Sequence, residues 1–139
     1  MKNIMLVAFS ICLLFLTGCS QNKAATAAAE VKPIQVFYTS TIDNIDRLEI
    51  LRSDGARKNS TNSAAIAAWL EQIGKLEVTT EPDPEESSGV LFSITCYENN
   101  EVVLSLAPQA INGTTILVNE ELVDAMHALW DSGNLIEMK

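Results

Sequence analysis

The chain has 139 residues, 47% of them hydrophobic, which is enough for one modest domain and too few for two. Its 18 acidic residues against 9 basic give a formal charge of −9, and no stripe of Lys and Arg is available to follow a phosphate backbone, which argues against nucleic-acid binding. Three Cys and one His without paired spacing exclude a structural zinc site and a framework of several disulfides.

Lys2 is followed by an almost unbroken apolar run over 4–16 and then by small residues, the layout of a secretory signal peptide. The run is about 13 residues, short of the roughly 20 that a helix needs to span a bilayer, so a cleaved leader over 1–18 is expected rather than a permanent span. Leu16-Thr17-Gly18-Cys19 resembles the lipobox of bacterial lipoproteins: an apolar residue, two small ones, then an obligatory Cys. The resemblance implies that the Cys19 thiol takes a diacylglyceryl group bearing fatty acids such as palmitate. It also implies cleavage by a lipoprotein signal peptidase between Gly18 and Cys19. Removing 18 of the 139 residues leaves 121, and loss of Lys2 takes the formal charge from −9 to −10. Two acyl chains anchor stably where one binds only marginally.

Residues 20–32 contain an Ala-rich run at 24–29 with no amphipathic face, so 19–33 reads as the lipidated Cys and a flexible tether closed by Pro33. Thirteen extended residues at roughly 3.3 Å each reach at most about 40 Å. One folded domain is expected over 34–139. Ile34, Val36 and Tyr38 alternate with Gln35, Phe37 and Thr39, the period of a strand. A second strand is expected over 46–52, with Leu48 and Ile50 on one face and Arg47, Glu49 and Leu51 on the other. Asp54-Gly55 signals a hairpin, with a short return through Arg57 and Lys58. Ser60-Thr61-Asn62-Ser63 is dense in capping residues, and Ile66, Trp69, Leu70 and Ile73 form one face of a helix ending at Gly74.

A short strand is expected near 77–79. The segment 81–89 carries two prolines and four carboxylates, Glu81, Asp83, Glu85 and Glu86, and cannot enter a sheet interior. Three strands then follow, over 90–97, 101–107 and 114–118. Val90, Phe92, Ile94 and Cys96 share a face, as do Val102, Leu104 and Leu106, and later Ile116 and Val118. Asn99-Asn100 and Asn112-Gly113 supply positive-φ turns. Asn119 caps a last helix whose stripe is Leu122, Met126, Leu129 and Trp130, with Glu120 and Glu121 at its positive dipole end. The order predicts an α+β fold: a mostly antiparallel, curved sheet of about five to seven strands with two helices. It is similar to TATA-box-binding-protein-like folds, with a cystatin-like wrap as the alternative, and neither resemblance licenses a function.

Little in the chain carries chemistry. His127, the single histidine, has no nucleophile in a recognisable turn and reads as a boundary residue of the last helix. Cys96 reads as a buried small hydrophobe, since an apolar site suppresses the thiolate. The acidic segment departs from the EF-hand pattern and reads as a solvated loop. No phosphate loop or nucleophile elbow is present. Arg47, Arg52, Arg57 and Lys58 form a basic concentration, with Arg47 and Glu49 placed to pair. Trp69 and Trp130 lie on helical stripes and read as core.

Ile45-Asp46-Arg47-Leu48-Glu49-Ile50, Ala67-Ala68-Trp69-Leu70 and Ile111-Asn112-Gly113 resemble small uncharacterised lipoproteins of the Gram-positive cell envelope. Together the features lead us to expect a membrane-anchored, extracytoplasmic binding or scaffolding module that is not an enzyme. No cofactor and no metal are assigned. The partners expected are the membrane, through the diacylglyceryl on Cys19, and an envelope protein, with no nucleic acid. A small-ligand or metal receptor serving a transporter is the alternative, and an envelope hydrolase comes third.

Overall fold

A computed structural model describes residues 28–82 and 91–138. The leader, Gly18 and Cys19, the tether up to residue 27, and Asp83, Glu85 and Glu86 of the acidic segment lie outside the described residues.

The fold is α+β. In chain order it comprises β1 (Val31–Pro33), β2 (Arg47–Arg52), β3 (Arg57–Ser60), α1 (Ser63–Gly74), β4 (Glu77–Thr79), β5 (Phe92–Glu98), β6 (Glu101–Ala107), β7 (Ala110–Ile111), β8 (Thr114–Thr115), α2 (Glu120–Asp131) and β9 (Ile136–Glu137), with 3-10 turns at Ile34–Phe37 and Ile42–Asn44. Seven strands form an antiparallel sheet in the order β8-β7-β6-β5-β2-β3-β9, and β1 and β4 make a two-stranded ladder beside it. A bridge from Thr80 to Ile116 links the two, supported by the Leu117 amide donating to the Thr79 carbonyl at 2.9 Å.

One face of the sheet is buried. Leu48 and Ile50 of β2, Phe92, Ile94 and Cys96 of β5, Leu104 and Leu106 of β6 and Ile111 of β7 meet the helical stripes. Those stripes are Ile66, Trp69, Leu70 and Ile73 on α1 and Leu122, Ala125, Met126, Leu129 and Trp130 on α2. The Trp69 indole N–H donates to the Ala125 carbonyl at 3.2 Å and fixes one helix against the other. Both caps form as their residues dictate: the Asn62 side chain accepts from the Ala65 amide, and that of Asn119 from the Leu122 amide.

The turns follow their sequences. Asn99 and Asn100 adopt φ of 51° and 68°, and Asn112 and Gly113 adopt 48° and 78°, as two-residue hairpins require. Between β2 and β3 the Gly55 amide donates to the Arg52 carbonyl and Gly55 takes φ of 87°, a three-residue loop closed by a left-handed residue.

Four expectations need correction. Residues 34–39 are not a strand. Ile34 is fully buried while Val36 is 56% exposed, so the side chains that turn inward are Ile34 and, four residues on, Tyr38, whose hydroxyl donates to the Leu70 carbonyl at 2.7 Å. A 3-10 turn brings both to α1. The ordered domain begins before residue 34, because Val31–Pro33, placed in the tether, pair with β4. Val102 does not share the face of Leu104 and Leu106: a bulge lets Cys96 face Leu104 while Tyr97 faces Val102, which moves Val102 to the open face. The strand expected over 114–118 stops at Thr115, and Val118 is 53% exposed.

Gly74 ends α1 for a reason other than a left-handed cap. A Cβ there would meet the Tyr38 hydroxyl at 3.2 Å and the Gln35 Cβ at 3.3 Å, so the 3-10 turn packs tightly on this position and would have to give by a few tenths of an ångström to admit a side chain.

Candidate functional site

Both helices pack on one side of the sheet, and among the described residues no element covers the central strands on the other. Strand parity decides what that open face presents. Paired residues in an antiparallel ladder share a face, so Arg47, Tyr97 and Val102 form one row. Asn59, Glu49, Thr95 and Ser105 form a second, and Arg57, Leu51 and Ser93 a third. Along β9, Ile136 pairs with Asn59, and the Met138 amide donates to the Arg57 carbonyl.

The first two rows meet in a charged cluster. The Arg47 guanidinium lies 4.0 Å from the centre of the Tyr97 ring and 3.4 Å from Glu49, whose carboxylate also accepts from the Tyr97 hydroxyl at 3.3 Å. Stacking on the ring leaves Arg47 Nε buried without a hydrogen-bond partner. Partial desolvation raises the Tyr97 phenol pKa, and the negative Glu49 adds to this, while the positive charges of Arg47 and Arg57 oppose it. The paired arrangement expected of Arg47 and Glu49 is present, and Tyr97 completes it.

Arg57 lies beside that cluster, near enough for its charge to act on Tyr97. It is exposed and forms no ion pair among the described residues. It borders a shallow depression of about 140 Å³ lined by Glu49, Ile50, Leu51, Ser93, Thr95 and Met138. Leu51, Val102, Ile136 and Met138 are exposed on the same face, at 37%, 60%, 70% and 41%. Permanently charged guanidinium groups, hydroxyls and exposed apolar side chains on a rigid sheet are the chemistry of recognition.

The other members of the basic concentration point away. Arg52 and Lys58 lie on the helix side, with their charged groups 4.6 and 4.5 Å from the centre of the Trp130 ring. Lys58 Nζ also donates to the Trp130 carbonyl at 2.8 Å. Arg52 pairs with Asp54 in the hairpin loop; that bond, with the Ala56 amide, holds the exposed Asp54 carboxyl down at about 2. These two cations therefore finish the packing of Trp130, and the sequence concentration divides between two faces.

The remaining candidates are dispersed. His127 is exposed on α2, its ring edge-on to Phe92 at 4.7 Å between centroids. Cys96 is fully buried, and burial pushes its thiol up to about 12. Trp69 and Trp130 are core. Among the described residues, no group of three or more His, Cys, Asp or Glu is placed to hold a metal, and no helix is long and apolar enough to cross a membrane. Val102 was missed as a surface residue, because nothing in an alternating strand pattern marks a bulge, whereas the parity of β5 already sets Tyr97 opposite Cys96.

No protein-family model, curated protein or solved structure matches this chain.

Proposed function

We propose that this chain is a lipid-anchored, extracytoplasmic protein of the bacterial cell envelope, of Gram-positive type, acting as a non-enzymatic binding or scaffolding module. The observation that carries the reading is Leu16-Thr17-Gly18-Cys19 directly after the apolar run that follows Lys2. Cleavage before Cys19 and its diacylation place a small α+β domain at the outer leaflet. The tether from Cys19 to Glu30 lets that domain stand off the headgroups by at most about 40 Å. Confinement to the membrane surface raises its effective concentration near a membrane-bound or wall-bound partner, so even a weak contact becomes occupied. The open sheet face supports the binding half of the reading, because it leaves apolar and charged side chains exposed on one rigid surface.

The test is crosslinking of the tagged, lipidated protein in intact cells, with Cys19→Ser as control, followed by mass spectrometry of the captured material. A reproducible protein partner that is lost with the anchor is the expected result. Capture limited to lipid and bulk envelope protein would contradict the scaffolding reading and favour the small-ligand receptor.

A further inference from the structure

We propose that the uncovered sheet face is a docking surface for a protein partner, with Arg57 receiving a partner carboxylate and the depression between Leu51 and Met138 seating the apolar side chain beside it. The inference rests on the reading of the chain as a binding module and supplies the chemistry of what it binds.

Charge segregation is the first argument. The chain is formally −9, yet among the described residues the paired strands place Arg47 and Arg57 on the open face against Glu49. Exposed carboxylates crowd the helix side instead, with Glu71 on α1 and Glu120, Glu121, Asp124 and Asp131 on α2. At physiological salt the Debye length is about 8 Å, less than the thickness of the helical layer at about 10 Å, so an approaching group senses the arginines locally. Within the face Glu49 is engaged by Arg47 and Tyr97, and among the described residues Arg57 is the arginine of this face without an ion pair.

The second argument is what surrounds Arg57. Its neighbours Leu51 and Met138 are apolar and partly exposed, and the depression is also lined by Ser93, Thr95 and Glu49, whose carboxylate is held by Arg47 and Tyr97. A guanidinium beside apolar surface suits a carboxylate whose neighbouring atoms are apolar, because bidentate hydrogen bonding strengthens as water is displaced. The depression has room for one short side chain. An anionic bilayer or a phosphate polymer is a poorer occupant, since each is held by several cations together. A second copy is poorer still, because two strongly acidic chains repel.

The experiment uses the full lipidated chain in detergent micelles with ¹³C-labelled methionine methyl groups. After removal of the leader the chain contains Met126, fully buried, and Met138, at the depression, so one spectrum reports both the core and the site. The probes are acetyl-Leu-Glu-Leu-amide, its Gln counterpart and hexanoate. The Glu peptide should shift Met138 saturably and leave Met126 in place, with affinity falling about tenfold or more for the Gln peptide and for Arg57→Gln. A Met138 signal that does not move, or one that responds equally to both peptides and to Arg57→Gln, would overturn the inference. Tighter binding of hexanoate than of the Glu peptide would also overturn it, assigning the depression to a free carboxylate. A photo-crosslinker at Ser93 or at Glu71, used in intact cells, separates this inference from the reading beneath it. Capture from Ser93 that Arg57→Glu abolishes supports it. Capture from Glu71 alone overturns the docking face while the binding module stands, and capture from neither site contradicts both.

Discussion

Replacing Cys96 tests the packing of the sheet core through its pH dependence. Its side chain lies between the cross-strand neighbours Leu48 and Leu104, fully buried, and burial pushes the thiol from 9.0 up to about 12. The folded chain therefore keeps its proton where the unfolded chain releases it. Stability from this group is present in full below pH 9 and is lost as pH rises toward about 12. Over that window the loss is about 1.4 kcal/mol per pH unit, because one proton separates the two states. Expressed from residue 20 onward, the chain has Cys96 as its single thiol. Urea unfolding followed by tryptophan fluorescence, at about pH 8 and about pH 10, gives the slope for wild type and for Cys96→Ala. At about pH 8 the variant should be about 1–2 kcal/mol less stable, from the lost sulfur and the small cavity left behind. By about pH 10 that deficit should shrink by about 1.4 kcal/mol. Tyr38, whose phenol is raised chiefly by burial and further by Cys96 itself, keeps its proton in both folded proteins at about pH 10, so the comparison is made there and not at higher pH, where the two proteins would differ at Tyr38 as well. Parallel pH profiles for the two proteins would refute the reasoning and place the thiol in contact with water.

Other substitutions test the packing and the caps. Gly74→Ala should cost about 1–3 kcal/mol by forcing Tyr38 and Gln35 away, and Tyr38→Phe in the same chain should recover part of that loss; thermal unfolding of both measures it. Asn62→Ala should cost about 1 kcal/mol, and Asn119→Ala more, since the Asn119 side chain also donates to the Glu77 carbonyl; urea titration separates them. Asn112→Gly keeps the positive-φ turn but removes the side-chain bonds to the Ser105 amide and the Phe37 carbonyl, so hydrogen exchange at Ser105 should accelerate while the core amides stay protected. Cys19→Ser should abolish acyl labelling and release the protein from the membrane fraction, and an unlipidated variant that stays bound to membranes would contradict the anchor.

How much was legible depended on whether the signal was local. The helices were readable because Asn62 and Asn119 cap them and their apolar residues recur at helical spacing. The hairpins were readable because Asn-Asn and Asn-Gly tolerate positive φ. The 3-10 turn at Ile34–Phe37 was not, since alternating apolar residues satisfy the strand period even when Ile34 and Tyr38 turn toward α1. Neither was β9, because a two-residue strand gains its identity only by pairing with β3 at the end of a non-local loop closure. Within the site, the parity of β2 placed Arg47, Glu49 and Leu51 together. The same parity separates Arg47 from Arg52, five residues on, and so divides what looked in the sequence like one basic patch. The bulge that delivers Val102 beside Tyr97 is a property of the paired strands and leaves no mark on either strand alone.

Intact mass measurement of the mature protein purified from membranes tests the central claim most directly. The account predicts a chain that begins at Cys19, heavier than its 121 residues by the diacylglyceryl group on the thiol. A chain cut elsewhere, or one that begins at Cys19 with an unmodified thiol, would contradict it.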